Sequence, residues 1–473
     1  MELARAKLHN GQVIRYFPEK KLGEGTEKEF FATEDEHVVI GFYIGQDESE
    51  DPERLKRLTR IIEKFNPTLD TDTGDFWRKH FCWPTAIVSE PRMGLLAPRF
   101  PSEYYFSDNK GEQKGKWFSK QGLLKKLSAE ERGTWLSRIQ ICRQLARSIG
   151  RMHMAGLAHS DLSGNNVLMD PSGGTCMVID IDSLVVPSVF PSKVLGTRGY
   201  MAPEVVATSL LPLKHLDKEL PNIRTDLHSL AVIIYETLLL RHPLIGKKIY
   251  DENPETDDLL RFGEKAIFIE HPDDPSNRPG SLNAPFHILG PHLVPLFQSA
   301  FVDGLHDPDR RPTAYEWEKA LTYTADILYP CGDDNCWHGW FVCQRGSDLE
   351  CPFCGWKPSH KVPMMNLFRK HGAGQYWSEK RYITMWDKKA LYPWHTRSDI
   401  PYSADMWDHA ESKGRFELRD DHVWMLSNES DERMIGSAWE GIFPGKSMEI
   451  SENKMILLSN HSKGRLAVFE FSG

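Results

Sequence analysis

The stretch HSDLSGNNVLMD (159–170), followed by MVIDIDS (177–183), decides the fold. It holds an Asp, an Asn five residues later, and a second Asp fourteen residues beyond that Asn, after an apolar run of β type. Phosphoryl transfer from Mg-ATP needs a group that accepts the proton of an acceptor hydroxyl, and hard oxygen ligands for the metal. Asp161 suits the first task, and Asn166 and Asp180 suit the second.

This arrangement resembles the protein kinases, whose catalytic loop reads H-R-D-x-x-x-x-N and whose metal-binding loop reads D-F-G. The resemblance continues in order along the chain. GTRGYMAPE (196–204) is similar to the end of a kinase activation segment, and Asp226 falls where the family keeps the Asp of its central buried helix. RRPTAYEW (310–317) resembles the late helix whose Arg, here Arg311, pairs with the Glu of A-P-E, here Glu204. The resemblance implies an α+β, bilobal protein kinase fold with an N-lobe over 1–100 and a C-lobe over 101–330, ATP and Mg2+ as cofactors, and a protein substrate. Gly196 and Thr197 ahead of Tyr200 resemble Ser/Thr kinases more than tyrosine kinases. GTRGYMAPE and the D-I-D-S run, with AFVDGLHDPDRRPTAYEWEKAL (300–321) and the cysteine module that follows, are similar to bacterial kinases of the tellurium-resistance-associated, TerY-type triads. There a kinase is encoded beside a metal-dependent phosphatase and a von Willebrand type A protein, which are the partners this likeness implies.

Several positions depart from the kinase pattern. LGEGTEKEFF (22–31) keeps Gly23 and Gly25 of G-x-G-x-x-G but has Lys28 at the third glycine, and VVIGFY (38–43) has Gly41 where the strand lysine belongs. The α- and β-phosphates still call for a cation. Lys28 is the candidate, as in the with-no-lysine kinases, with Gly41 expected to leave space for its ammonium. The rival is a pseudokinase scaffold that binds nucleotide and recruits partners. Ser160 stands in place of the Arg that grips an activation-loop phosphate, and Ser163 in place of the Lys that supports the γ-phosphate, which predicts a slow enzyme. Asp182 replaces the Gly of D-F-G and predicts a stiffer loop. Glu53 and Glu63 are the candidates for the small-lobe helix glutamate.

Around this centre, ERLKRLTRIIEKF (53–65) has helical spacing of Leu55, Leu58, Ile61 and Ile62. Ile139, Cys142, Leu145, Ala146, Ile149 and Met152 form one apolar stripe, and 226–240 is apolar nearly all round. A helix after Pro312 should bury Tyr315, Trp317, Ala320 and Leu321. The polar segment 107–120 predicts a solvated loop, and 250–290, rich in Pro, Asp and Asn, a surface excursion.

The 473 residues carry 58 basic against 67 acidic side chains, a net charge of -9, with a mean hydropathy of -0.47. That balance offers no electrostatic footprint for nucleic acid. No apolar run reaches membrane-spanning length and the N-terminus lacks a signal-peptide core, so the expected compartment is the cytoplasm. Cys331, Cys336, Cys351 and Cys354 form two pairs that suit a tetrahedral Zn2+, with His338 a rival to Cys336 and Cys343 a spare thiol. They predict a small zinc-binding module over 331–356, with Trp337, Trp340 and Trp356 as core or interface residues, core first. A linker over 357–366 and a mostly-β domain over 367–473 follow, the latter read as a small sandwich that binds a partner and keeps its tryptophans inside. Its IFPGKSMEISENKMILL run resembles the last strands of a forkhead-associated sandwich.

Overall fold

The computed structural model describes residues 3–25, 27–45, 52–108, 110–186, 195–282, 284–346, 348–372, 374–402, 410–436 and 440–472. It divides into two compact units. Met1–Arg132, Ile141–Leu282 and Leu296–Glu318 form the first, and Gly133–Gln140, Asn283–Pro295 and Lys319–Gly473 form the second. The division falls inside the helix Ala314–Asp326, ahead of the 330/331 boundary read from the sequence.

The first unit opens with a closed barrel of strands β1 (Ala4–Leu8), β2 (Val13–Glu24), β3 (Lys28–Thr33), β4 (Val38–Tyr43), β5 (Ala86–Glu90) and β6 (Gly94–Pro98), in the order β1-β2-β3-β4-β6-β5. Strand alternation sends Ile40 and Phe42 of β4 into a core with Ala6, Leu8, Tyr16 and Val88, and turns Gly41 and Tyr43 to the opposite face. Helix α1 (Pro52–Leu58) runs into a π-helical turn over Thr59–Lys64. Leu58, Ile61 and Ile62 are buried as their spacing predicts, but so are Arg54 and Arg57. Their charge finds partners inside: Arg54 pairs with Glu27 and lies 4.2 Å from the Tyr43 ring centroid, and Arg57 Nε donates to the backbone carbonyl of Asp182 at 3.2 Å.

Beyond the barrel the chain is mainly helical as far as Asp326. Helix α2 (Trp135–Met154) fully buries the whole predicted stripe from Ile139 to Met152. Helix α3 (Ile223–Leu239) is buried from Thr225 to Leu239, and Asn222 caps it with a box that Thr225 completes. In α4 (Ala314–Asp326), Trp317, Ala320 and Leu321 are buried, whereas Tyr315 is exposed. The segment 107–120 is less solvated than its composition predicts. Gln113 is buried, its Nε2 donates to the carbonyls of Glu103 and Tyr105, and its own carbonyl accepts from Met169 N–H at 2.8 Å. Of its lysines, Lys110, Lys116 and Lys120 are exposed as expected, and Lys114 is half-buried. Within 250–290 a helix, Pro254–Phe262, forms on an Asn253 cap.

The second unit holds a hairpin of β9 (Leu328–Pro330) and β10 (Trp340–Val342), the cysteine cluster, and two antiparallel sheets of six and four strands. Met365, Leu367, Phe416, Trp424, Leu426, Ile456 and Phe469, drawn from both sheets, share one core, as in a sandwich. The expected linker is shorter than 357–366, because a strand already runs over Val362–Gly372 with Met364 and Met365 buried. Trp394 and Trp424 are core residues, but Trp377 is half exposed and stacks on His371; Trp407 and Trp439 lie outside the described residues. Among the described residues no helix is long and apolar enough to cross a membrane.

Candidate active site

A two-stranded ribbon, β7 (Val167–Asp170) and β8 (Thr175–Val178), sets the candidate residues at its open end, where Val167 pairs with Val178. Asn166, just ahead of β7, donates its side-chain Nδ2 to the Asp161 backbone carbonyl at 2.8 Å and to Asp161 Oδ2 at 3.0 Å. The other carboxylate oxygen, Oδ1, is buried. Burial pushes the Asp161 carboxyl above its ordinary pKa, with Thr197 and His159 acting in the opposite sense. His159 holds the loop from beneath: its Nδ1 accepts from Asp161 N–H at 3.1 Å and its Nε2 faces the Ile179 carbonyl at 2.9 Å. Asp226, at the start of α3, is buried and accepts the His159 backbone N–H at 2.7 Å, with His153 Nε2 at 3.1 Å. A carboxylate on a buried helix thus anchors the loop that carries Asp161. Ser160 donates to the Ser183 carbonyl, and Ser163, fully buried, accepts from Asn165 N–H.

After β8, Asp180 adopts the left-handed conformation (φ 64°, ψ 40°) that begins a short 3-10 turn over Ile181–Ser183. Lys28, 7% exposed, reaches this turn from β3. Its Nζ lies 2.6 Å from Asp180 Oδ1 and 2.6 Å from Asp182 Oδ1. Burial alone lowers an ammonium pKa, but the two carboxylates together outweigh it and hold Lys28 above its ordinary value. Asp161, Asn166, Asp180 and Lys28 therefore meet in one place. The space at Gly41 is used differently from the sequence expectation: a Cβ there would stand 2.6 Å from the Phe30 ring, so the ring fills the gap and the ammonium does not. Lys28 pairs with Tyr43 in the β3–β4 register and Phe30 with Gly41, which places the lysine one step further along the same face. Gly25 N–H donates to the Lys28 carbonyl at 2.7 Å, closing the hairpin of the glycine loop. Added side chains at Gly23 and Gly25 would meet no close neighbour, and neither glycine has a positive φ.

Glu204 and Arg311 are paired, Nη1 to Oε1 and Nη2 to Oε2 at 2.7 Å each, with the arginine side chain fully buried. Neither Glu53 nor Glu63 is paired with Lys28: Glu53 lies beside Lys56 and Glu63 beside His9. The sequence reading missed Asp182, taken there as a stiffener, and the buried arginines of α1. The spacing D-x-D was visible, but its target lies 154 residues away.

Residues 118–293 match the family model described as the protein kinase domain. This stretch is similar to a protein kinase domain. Among curated relatives, the chain is 29% identical over 136 residues to the serine/threonine-protein kinase PknD of Chlamydia felis, covering 24% of this chain and 13% of that protein. It is 26% identical over 121 residues to a probable receptor-like protein kinase of Arabidopsis thaliana, covering 24% of this chain and 22% of the relative. The chain thus spans less than a third of the length of these relatives. A Toxoplasma gondii rhoptry antigen kinase domain is similar in structure, with 15% identity, a TM-score of 0.41, and coverage of 68% of this chain and 86% of that one.

In the second unit the sulfurs of Cys331, Cys336, Cys351 and Cys354 all lie within 4.8 Å of one another, with Cys331 and Cys354 3.5 Å apart and Cys336 and Cys351 3.9 Å apart. Four thiolates around a zinc at about 2.3 Å would be spaced by about 3.8 Å, so the set fits a tetrahedral ion. Cys336 joins the other three, and His338 is engaged elsewhere: it stacks on Phe353 at 3.7 Å between centroids and its Nδ1 lies 3.2 Å from Arg138 Nη2. Cys343 is buried away from the cluster, with its N–H bonded to the Ile327 carbonyl. Trp337, Trp340 and Trp356 are half-buried rather than core; Trp356 lies over Gly332, where a Cβ would strike the indole.

Proposed function

We propose that this protein is a Ser/Thr protein kinase that transfers the γ-phosphate of Mg-ATP to a protein hydroxyl. The observation that carries the reading is the meeting of Lys28 Nζ with Asp180 beside the Asp161–Asn166 pair. Bound ATP would supply the phosphoryl group and Mg2+ would offset its charge. In this reading Asn166 and Asp180 hold the metal, and Lys28 takes the place of the missing strand lysine on the phosphates. The backbone at Gly23 and Gly25 lies open for phosphate oxygens. Asp161 accepts the proton of the acceptor hydroxyl, while Asn166 fixes the orientation of the carboxylate.

The four cysteines are assigned to a structural Zn2+. A closed set of four sulfur ligands leaves no position for substrate, so the ion's part is to staple a short, loop-rich segment. The GTRGYMAPE and D-I-D-S motifs, with the cysteine module, support reading the chain as one of the tellurium-resistance-associated kinases. Genes for a metal-dependent phosphatase and a von Willebrand type A protein beside its own would support that placement.

Intact-mass spectrometry after incubation with Mg-ATP tests the activity, with Asp161→Asn and Lys28→Ala alongside. Phosphate incorporated by the parent and reduced to a small residual rate in both variants supports the kinase with its relocated lysine. ATP binding with no incorporation in any of the three would favour the pseudokinase scaffold.

A further inference from the structure

A lysine that binds phosphates works only if it is held in place, and a buried ammonium needs a fixed counter-ion. Asp180 is ill suited to that part, because its side chain is 34% exposed and, in the kinase reading above, its oxygens belong to the metal. Asp182 has the opposite character. Its carboxylate is buried and both oxygens are used: Oδ1 on Lys28 Nζ at 2.6 Å, and Oδ2 accepting the Tyr43 hydroxyl at 2.5 Å. Arg57 grips its backbone carbonyl, and Arg54 lies against the ring of Tyr43. The face that α1 turns toward this turn is therefore cationic, while Glu53 and Glu63 lie half exposed beside Lys56 and His9.

We propose that Asp182 is the fixed counter-ion that positions Lys28 at the phosphate site, so that the anchoring carboxylate comes from the D-I-D turn after β8 rather than from a glutamate on α1. The proposal rests on the kinase reading for what Lys28 does, but not for what holds it. Asp182 is a positioning residue: it touches Lys28 and not the reacting atoms. Tyr43 is part of the device, because its hydroxyl keeps the carboxylate from turning away. One consequence is that a rearrangement of the turn over Ile181–Ser183 breaks the pair.

The test combines kinetics with crystal structures of the full chain bound to Mg2+ and a non-hydrolysable ATP analogue. Asp182→Asn keeps the shape and the acceptor for Tyr43 but removes the charge. Lys28 Nζ should move by roughly 1 Å or more, and kcat should fall on the order of 10- to 100-fold with a smaller change in the KM for ATP. On a Lys28→Met background the same substitution should cost less than about twofold, since its effect runs through the lysine. Glu53→Ala and Glu63→Ala should each stay within about twofold of the parent. Should Asp182→Asn fail to fold, Tyr43→Phe decides: releasing Oδ2 alone should lower kcat by about threefold or more, again only with Lys28 present.

An unmoved Lys28 in the Asp182→Asn crystal overturns the proposal, as do equal losses on both backgrounds or a tenfold loss in either glutamate variant. A parent that transfers no phosphate removes the kinase reading instead, and the position of Lys28 in the crystals still decides whether Asp182 holds it.

Discussion

The Phe30 ring occupies the space in front of Gly41, close enough that a Cβ on residue 41 would stand 2.6 Å from it. The usual strand position for a phosphate-binding lysine is thus closed by an aromatic side chain two residues beyond Lys28 on β3. Gly41→Ala should displace the ring and destabilise the chain by about 1–3 kcal/mol, as overpacking does. Gly41→Lys combined with Lys28→Ala should not restore phosphate incorporation. Recovery of activity in that double variant would show that the position is open after all.

Glu204 and Arg311 form a two-point pair with the guanidinium buried and bonded further to the carbonyls of Gly304, Arg224 and Leu305. Removing one partner leaves the other charge buried without its counter-ion. Glu204→Gln should therefore lower stability by about 3–5 kcal/mol in urea unfolding, with ATP binding retained under native conditions. A loss below about 1 kcal/mol would mean that the pair behaves as a solvent-exposed one.

Glu236 lies on buried α3 and accepts the Tyr200 hydroxyl at 2.6 Å; burial raises its pKa from the ordinary 4.5 to about 7. A raised carboxyl contributes stability that is fully present below pH 4.5 and lost as pH climbs through 7. The whole window is worth about 3 kcal/mol at 1.36 kcal/mol per pH unit. Glu236→Gln keeps an acceptor for Tyr200 and never ionises. Its Tm relative to the parent should rise between pH 5 and pH 8, and a difference independent of pH would contradict the assignment.

For the cysteine cluster, protein purified without chelators should carry one zinc per chain by plasma mass spectrometry. Cys354→Ser should lose it, because three sulfurs hold zinc far less well than four. His338→Ala should keep it, since that ring is stacked on Phe353 outside the cluster. Metal lost in His338→Ala and kept in Cys336→Ser would reverse the ligand choice.

Much of this protein was legible from local spacing. Asp161 and Asn166 lie five residues apart on one loop, so they could be singled out as candidates before any fold was known. The stripe from Ile139 to Met152 and the all-round apolar run of α3 follow from helical periodicity, which depends on near neighbours alone. The two cysteine pairs announce their cluster by spacing in the same way. Charged residues were harder to place. Arg54 and Arg57 belong to a polar-looking helix, and nothing local shows that Glu27, Tyr43 and the Asp182 carbonyl await them inside.

By itself the sequence determined which groups are candidates for phosphoryl transfer, and which segments are helix, strand and paired cysteines. The tertiary structure alone decided which carboxylate holds Lys28 and which ring fills the space at Gly41. It also singled out Cys336 over His338. The physical reason is that a buried charge is tolerated only where the fold brings its partner, and Lys28 and Asp182 are joined across 154 residues of chain. Periodicity and motif spacing are properties of neighbours; counter-ions and steric exclusion are properties of surfaces that folding brings together.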